Sequence, residues 1–401
     1  MRLIATCLLC LFAVCPGLKA DWRGFRGTAA DSLAADEMLP LDWESDDVVA
    51  WSVELPGRGL SCPIVIGERV VLTASSGYRQ DQLHVLCFSA GDGELLWERQ
   101  FWATGRTTSH PKTCVAAPTP SSDGERIFAT YSSNDVACLD LDGNLLWYRG
   151  LTHDYPNASN SLGMSSSSVV VGETLVVMVE NDTDSFTTGL DTGTGEELWR
   201  IDRPRAANWT SPAIWSDGRG EDLVLLQSSA GVAAVDPVTG ESRWNYGDGA
   251  STVPSLVARE GVAFVPSNGL TAIRPGRNTP EVAEIVWQEG GLAPGTSSPV
   301  AFDNSVFVLS RPNVLIRADA GTGETEWKLR LSGNFSSTPV AAGGHLFCFN
   351  EDGTAFVVDP SESGRIVSTR DFGETILATP AVADGALYIR SDGHLWKIAA
   401  P

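Results

Sequence analysis

Positive charge is scarce in this sequence. Lys and Arg number 28 against 50 Asp and Glu, a net charge of −22. A surface that acidic repels phosphate backbones, and no basic cluster offsets it, so nucleic-acid binding is excluded as a working reading. Histidine is rare at 5 residues, and no CxxC pair or His/Cys cluster marks a zinc or redox site. No Ser/His/Asp signature, phosphate loop or metal-ligand spacing is present either. After residue 20 no apolar run approaches the roughly 20 residues of a membrane span. Helical periodicity is missing as well, which leaves strands and turns to build the chain.

Hydrophobic residues make up 43% of the 401 residues, enough for a sizeable core. The first 20 residues, MRLIATCLLCLFAVCPGLKA, read as an export signal: Arg2, an apolar run from Leu3 to Val14, and small residues near a cut before Asp21. Cys15 follows Val14 rather than a small residue, which speaks against a lipid anchor. The expectation is a monomer in the periplasm or cell envelope, with no membrane span after the signal. Removing the signal leaves Cys62, Cys87, Cys114, Cys138 and Cys348. An odd count leaves at least one thiol free or paired between molecules. All but Cys114 fall at repeat positions that other copies fill with small or apolar residues, which reads as packing.

What the sequence has in abundance is repetition. SAGDGELLW, LDLDGNLLW, LDTGTGEELW, VDPVTGESRW and ADAGTGETEW each place a Gly four residues before a Trp: Gly93, Gly143, Gly195, Gly240 and Gly323 before Trp97, Trp147, Trp199, Trp244 and Trp327. A Ser/Thr/Ala-Pro step precedes each strand-like run, at Pro63, Pro118, Pro212, Pro254, Pro299, Pro339 and Pro380, with Ser168 in the proline place of one copy. Eight units at about 45-residue spacing, each of four short β runs split by Gly, Asn, Asp and Pro, predict an all-β, eight-bladed propeller of four-stranded antiparallel blades. The last unit supplies three strands, and DDVVAWSVEL around Trp51 has the missing fourth, so an N-terminal strand is expected to close the ring. This gives a signal over 1–20, an extension over 21–45 and one propeller over 46–401.

The turn glycine is expected to take positive φ, and the Trp to fill the gap between blades. Two copies depart: Ser368 stands where a Trp belongs, and IRPGRNTPEVAEIVW replaces the turn before Trp287. Drift is the expected cause. Three successive interblade connections carry polar groups that form the candidate binding face: Arg106, His110 and Lys112; His153, Asp154 and Tyr155; Asn208 and Trp209. Asn157 and Asn208 open Asn-x-Ser/Thr glycosylation patterns.

The A/G-x-D-x-x-T-G-x-x-x-W turn, best matched by GLDTGTGEELW and AVDPVTGESRW, resembles the PQQ-type repeat with its tryptophan-docking motif. That repeat occurs in quinoprotein dehydrogenases and in the BamB-type outer-membrane assembly propeller. The dehydrogenase side of the resemblance implies PQQ, calcium and alcohol oxidation, but its pair of adjacent cysteines is missing here and no catalytic residue transfers by motif. The BamB side implies an exported, non-enzymatic scaffold binding envelope proteins, without a cofactor, and that is the expectation adopted. A PQQ-dependent oxidoreductase with its site near His110, His153 and Trp209 is the alternative; polysaccharide or small-ligand binding at the central channel is the third.

Overall fold

The computed structural model describes residues 20–158, 162–216 and 220–401. The signal reading over 1–20 thus falls almost wholly outside the described residues. Eight antiparallel four-stranded sheets follow one another around a ring. Blades 1 to 7 span 64–102, 121–150, 169–202, 213–246, 257–289, 300–330 and 340–371. Blade 8 joins Ala381–Ala383, Ala386–Arg390 and His394–Ala399 to Val49–Glu54, with Trp51 opposite Lys397 and Val53 opposite Leu395. The N-terminal strand closes the ring, as the truncated last unit requires.

Alternating apolar residues of the middle strands face both neighbouring blades, so the core runs as a band of clusters between sheets rather than as one central mass. Tryptophans of the outer strands occupy this band. Trp51, Trp97, Trp147, Trp199, Trp287 and Trp327 each lie over the turn glycine of the next blade, and each indole N–H donates to a carbonyl of that turn at 2.8–3.3 Å. Gly143 shows why the turn needs glycine. Its φ is +79°, and a Cβ there would stand 2.6 Å from the Trp97 ring. Gly143→Ala is expected to cost ~1–3 kcal/mol through this overpacking, seen as a lowered thermal midpoint, whereas Gly172→Ala meets no atom within 4 Å and pays only its backbone strain.

Trp244 is the exception. Its indole N–H has no partner among the described residues, and its ring meets Trp215 edge-on at 6.1 Å. The cause is the long connection of the fifth unit. It reaches back to the outer strand of blade 4, where Asn245 N–H donates to Glu281 O at 3.0 Å and Asn245 pairs in parallel with Val282. This departure is therefore a strap on a blade edge, not drift.

An inner ring binds the blades a second time. The residue two places before each innermost strand donates its backbone N–H to the side chain of its counterpart in the next blade. The sequence runs Cys62, Thr119, Ser167, Ser211, Ser255, Ser298, Thr338, Thr379 and back to Cys62 Sγ, at 2.9–3.4 Å throughout. This ring corrects the register of two units. Thr119 and Ser255 are the equivalents of Cys62, so Pro120 and Leu256 occupy the proline place, while Pro118 and Pro254 precede the hydroxyl. Cys62 is also more than packing, since its sulfur closes the circle.

The extension over 21–45 is part of the ring's architecture. Trp22 exchanges backbone hydrogen bonds with Val65 of blade 1, Arg23 O accepts from Ser122 N of blade 2, and Asp31 meets Arg259 of blade 5 at 3.3 Å. Blade 5 stands opposite blade 1 in a ring of eight, so the chain crosses the axis and covers one end of the channel. Leu33–Ala34 then adds a parallel fifth strand to the inner edge of blade 7.

Candidate functional site

The face carrying the interblade connections is where the sequence places its candidates, and their side chains go to three separate neighbourhoods on that face and, for Asn208, to the interior. His110 and Lys112 lie on a strap between blades 1 and 2. His110 Nδ1 accepts from Lys112 N at 3.1 Å, and Lys112 Nζ reaches Glu351 of blade 7 at 3.1 Å. Trp209 is tied to the same region: its indole N–H donates to Gly163 O at 2.8 Å, while His110 N–H donates to the adjoining Leu162 O. These three form one neighbourhood. Arg106, earlier on the strap, donates to Thr108 Oγ1 and lines a different cleft with Tyr78, Arg79 and Gln80.

His153 and Asp154 sit in the single-turn helix Leu151–Asp154 at the outer rim. Asp154 pairs with Arg149 at 2.8 Å, and His153 is exposed beside Trp147 and Glu196. Tyr155 donates to Glu197, with the Arg200 guanidinium 4.7 Å from its ring centre. Burial and the neighbouring Glu197 carboxylate both push the Tyr155 hydroxyl up, which suits a fixed donor rather than an acid.

Asn208 belongs to the interior. It is 2% exposed, its Nδ2 donates to Glu180 Oε2 at 2.9 Å and Gln227 O at 2.7 Å, and its Oδ1 accepts from Thr210. Asn208 fixes the buried Glu180–Arg203 pair, which leaves it closed to a ligand or a glycan. Asn157, in contrast, is exposed.

Nothing in these neighbourhoods suits a calcium-bound quinone. Calcium takes 6–8 oxygen ligands, and among the described residues no group of three or more His, Cys, Asp or Glu side chains could share a metal ion. The far end of the channel is covered by the extension, whose own Arg26 is fully buried, and burial lowers its guanidinium to about 10. No catalytic step through such a group is derived. Thiol chemistry is closed off too. All five described cysteines are free and buried, and burial pushes Cys87, Cys138 and Cys348 up to about 12. Cys114 is packed in the core between blades 1 and 2 with Val115 and Ala116. A thiol reagent is expected to leave these five unmodified in the folded protein and to titrate all five in denaturant; fast reaction of any one in the native state contradicts its burial.

One constellation escaped sequence reading because only strand register assembles it. Ser76 Oγ is 2.6 Å from His84 Nε2, and His84 Nδ1 is 2.6 Å from Glu98 Oε1. No helix among the described residues is long and apolar enough to cross a membrane.

Comparison with known proteins agrees on architecture. No curated protein matches the sequence. Among solved structures, BamB from Moraxella catarrhalis superposes with a TM-score of 0.62 at 17% identity, over 88% of this chain and 97% of that one. A europium-containing methanol dehydrogenase gives a TM-score of 0.73 at 13% identity, over 95% and 98%. Quinohemoprotein alcohol dehydrogenase from Comamonas testosteroni gives 0.68 at 13%, over 94% and 80%. At such identities the likeness speaks to the fold alone. The model of the PQQ_2 family, described as outer membrane protein assembly factor BamB, matches residues 35–183, 99–278 and 279–367. Those matches run through most of the sequence, and the chain belongs to that BamB-like, PQQ-type propeller family.

Proposed function

We propose that this propeller is an exported scaffold that binds other proteins of the cell envelope. The observation that carries the reading is the way the fold treats its own strand edges. An inner edge on blade 7 takes up Leu33–Ala34, and an outer edge on blade 4 takes up the strap at Glu281 and Val282. The outer strand of blade 1, Leu95–Trp102, is the longest of the eight at 8 residues and ends its sheet. Leu95, Leu96 and Trp102 are exposed along it. An edge with apolar side chains invites strand addition by a partner segment. Membership of a BamB-like family supports the same role in envelope assembly, as do the crossing of one channel end by the extension and the dispersal of the loop-face candidates.

The test is photo-crosslinking in cells from a benzoylphenylalanine placed at Leu96 or Trp102, with Val238 on the blade 4 turn as the reference position. A discrete protein adduct from blade 1, absent from position 238, is the expected result. No adduct from either blade 1 position removes the scaffold reading at this edge. Saturable binding of PQQ with calcium, followed by tryptophan fluorescence, would replace it with the oxidoreductase reading.

A further inference from the structure

Three strands of blade 1 share a sheet face on which a serine, a histidine and a carboxylate stand in line. Ser76 closes the strand Arg69–Ser76, His84 lies on Gln82–Ser89, and Glu98 on Leu95–Trp102. Register sets Ala74 opposite His84, and His84 opposite Gln100. Ser76 and Glu98 are each two residues from those partners, so both are diagonal neighbours of His84, within reach of long side chains. The contacts are short at both ring nitrogens, 2.6 Å to Ser76 Oγ and 2.6 Å to Glu98 Oε1. Nucleophile, base and orienting acid follow one another as acyl-transfer sites require.

The surroundings fix the proton inventory. Burial acts against the Glu98 anion, but hydrogen bonds from His84 and from Gln100 outweigh it and hold the carboxyl below its usual value. An anionic Glu98 accepts from Nδ1–H, which leaves Nε2 as the acceptor facing the serine hydroxyl. Gln82 Oε1, 3.0 Å from the same Oγ, is a second acceptor for the hydroxyl proton and competes with Nε2 for it.

Charge developing on a substrate carbonyl also has donors to meet. The strand stops at Ser76 and Gly77 follows at φ +83° in an exposed turn. The amides of Gly77 and Tyr78 make no hydrogen bond among the described residues, and the amide after a nucleophilic serine is a recurrent oxyanion donor. The cleft of about 580 Å³ lined by Tyr78, Arg79, Gln80 and the segment from Gly105 to Ser109 lies past this turn, and none of Ser76, His84 and Glu98 lines it. Ser76 is half-buried beside the buried His84, which leaves room for a short acyl group only.

We infer that Ser76 is a nucleophile activated by His84, positioned by Glu98, and that this site hydrolyses short-chain carboxylic esters. Ser76 Oγ bonds to the ester carbonyl carbon as its proton passes to His84 Nε2. The carbon–oxygen bond to the alcohol breaks, and His84 returns the proton to the departing alcohol. Water then adds to the acyl carbon, giving its proton to His84, and the serine leaves as the acid is released and the hydroxyl is restored. No oxidant or metal takes part. The site shares the strand Leu95–Trp102 with the partner-binding edge through Glu98, but its chemistry is read independently of any partner, and its failure leaves the scaffold reading intact.

A fluorophosphonate tests it on the unsubstituted, signal-free protein. Ser76 Oγ displaces fluoride from phosphorus, and peptide mass mapping locates the phosphonyl group. The expected result is a single label on Ser76, lost in Ser76→Ala, together with turnover of phenyl acetate. His84→Gln is expected to slow both by about 100-fold or more, the share typical of general-base catalysis. Glu98→Gln, as a positioning change, should lower kcat with KM little altered. Absence of label on the native protein, label on a residue other than Ser76, or ester turnover unchanged in Ser76→Ala overturns the inference. The mapping holds even if His84→Gln fails to fold, because it is read on the native sequence.

Discussion

Trp43→Ala is expected to cost ~3–5 kcal/mol, the range for removing a buried Trp or Phe, and to lower the urea midpoint of the whole ring. The reason lies in the geometry of closure. A docking Trp needs the turn between the third and fourth strands of the next blade. Blade 8 has no such turn, because its fourth strand is Val49–Glu54 and does not follow its third, His394–Ala399, along the chain. A Trp at position 368 would have nothing to dock on. Ser368 stands there instead, with Trp43 N–H donating to its Oγ at 3.3 Å and the serine hydroxyl donating to Leu41 O at 2.5 Å. Its small size lets 41–43 lie across the strand. Trp43, 1% exposed, then fills the space between blades 7 and 8 against Phe347, Phe349 and Phe372, at 5.7, 5.9 and 6.4 Å. Its indole N–H donates to Pro40 O at 2.7 Å. The loss should be accompanied by faster proteolysis within 21–45. A loss below ~0.5 kcal/mol, the size of an ordinary surface change, would mean that closure rests on the Val49–Glu54 strand alone.

The same pair of residues shows what a sequence does and does not disclose. The blades were legible because most of them repeat the same local requirements: a turn with positive φ, a large ring four residues on, a hydroxyl before the inner strand. Ser368 read as drift, since its meaning depends on a tryptophan 325 residues earlier in the chain that only ring closure brings near. Thr119 was hidden between two prolines, either of which fits the local pattern, and only the hydrogen bonds of the inner ring decide between them. The candidate site was less legible still. Asn208 looks like any polar loop residue until Glu180, from another strand segment, is placed beside it. Ser76, His84 and Glu98 are separated by 8 and 14 residues, spacings that carry no motif and acquire meaning only from two hairpin registers.

Arg203→Met is expected to destabilise the fold by ~3–5 kcal/mol at pH 7, the range for stranding one member of a buried ion pair. Glu180 and Arg203 are 2.6 Å apart with side chains 1% and 8% exposed, and Arg203 also donates to Leu226 O at 3.1 Å. Burial raises the Glu180 carboxyl above its ordinary value even though Arg203 and Asn208 pull it down. A carboxyl raised on folding binds its proton more tightly in the folded state. Its ionisation therefore opposes folding, by an amount absent below the unfolded value of about 4.3 and growing as the pH rises through the folded one. Removing Arg203 removes the attraction that limits this opposition. The gap in melting temperature between Arg203→Met and the parent should thus be wide at pH 7 and mostly closed near pH 4.5. Pairing Arg203→Met with Glu180→Gln should recover much of the loss at pH 7, because the amide still accepts from Asn208 without a charge. A deficit that stays constant from pH 7 to 4.5, and persists in the double variant, would assign the loss to the packing of the arginine stem and not to the stranded carboxylate.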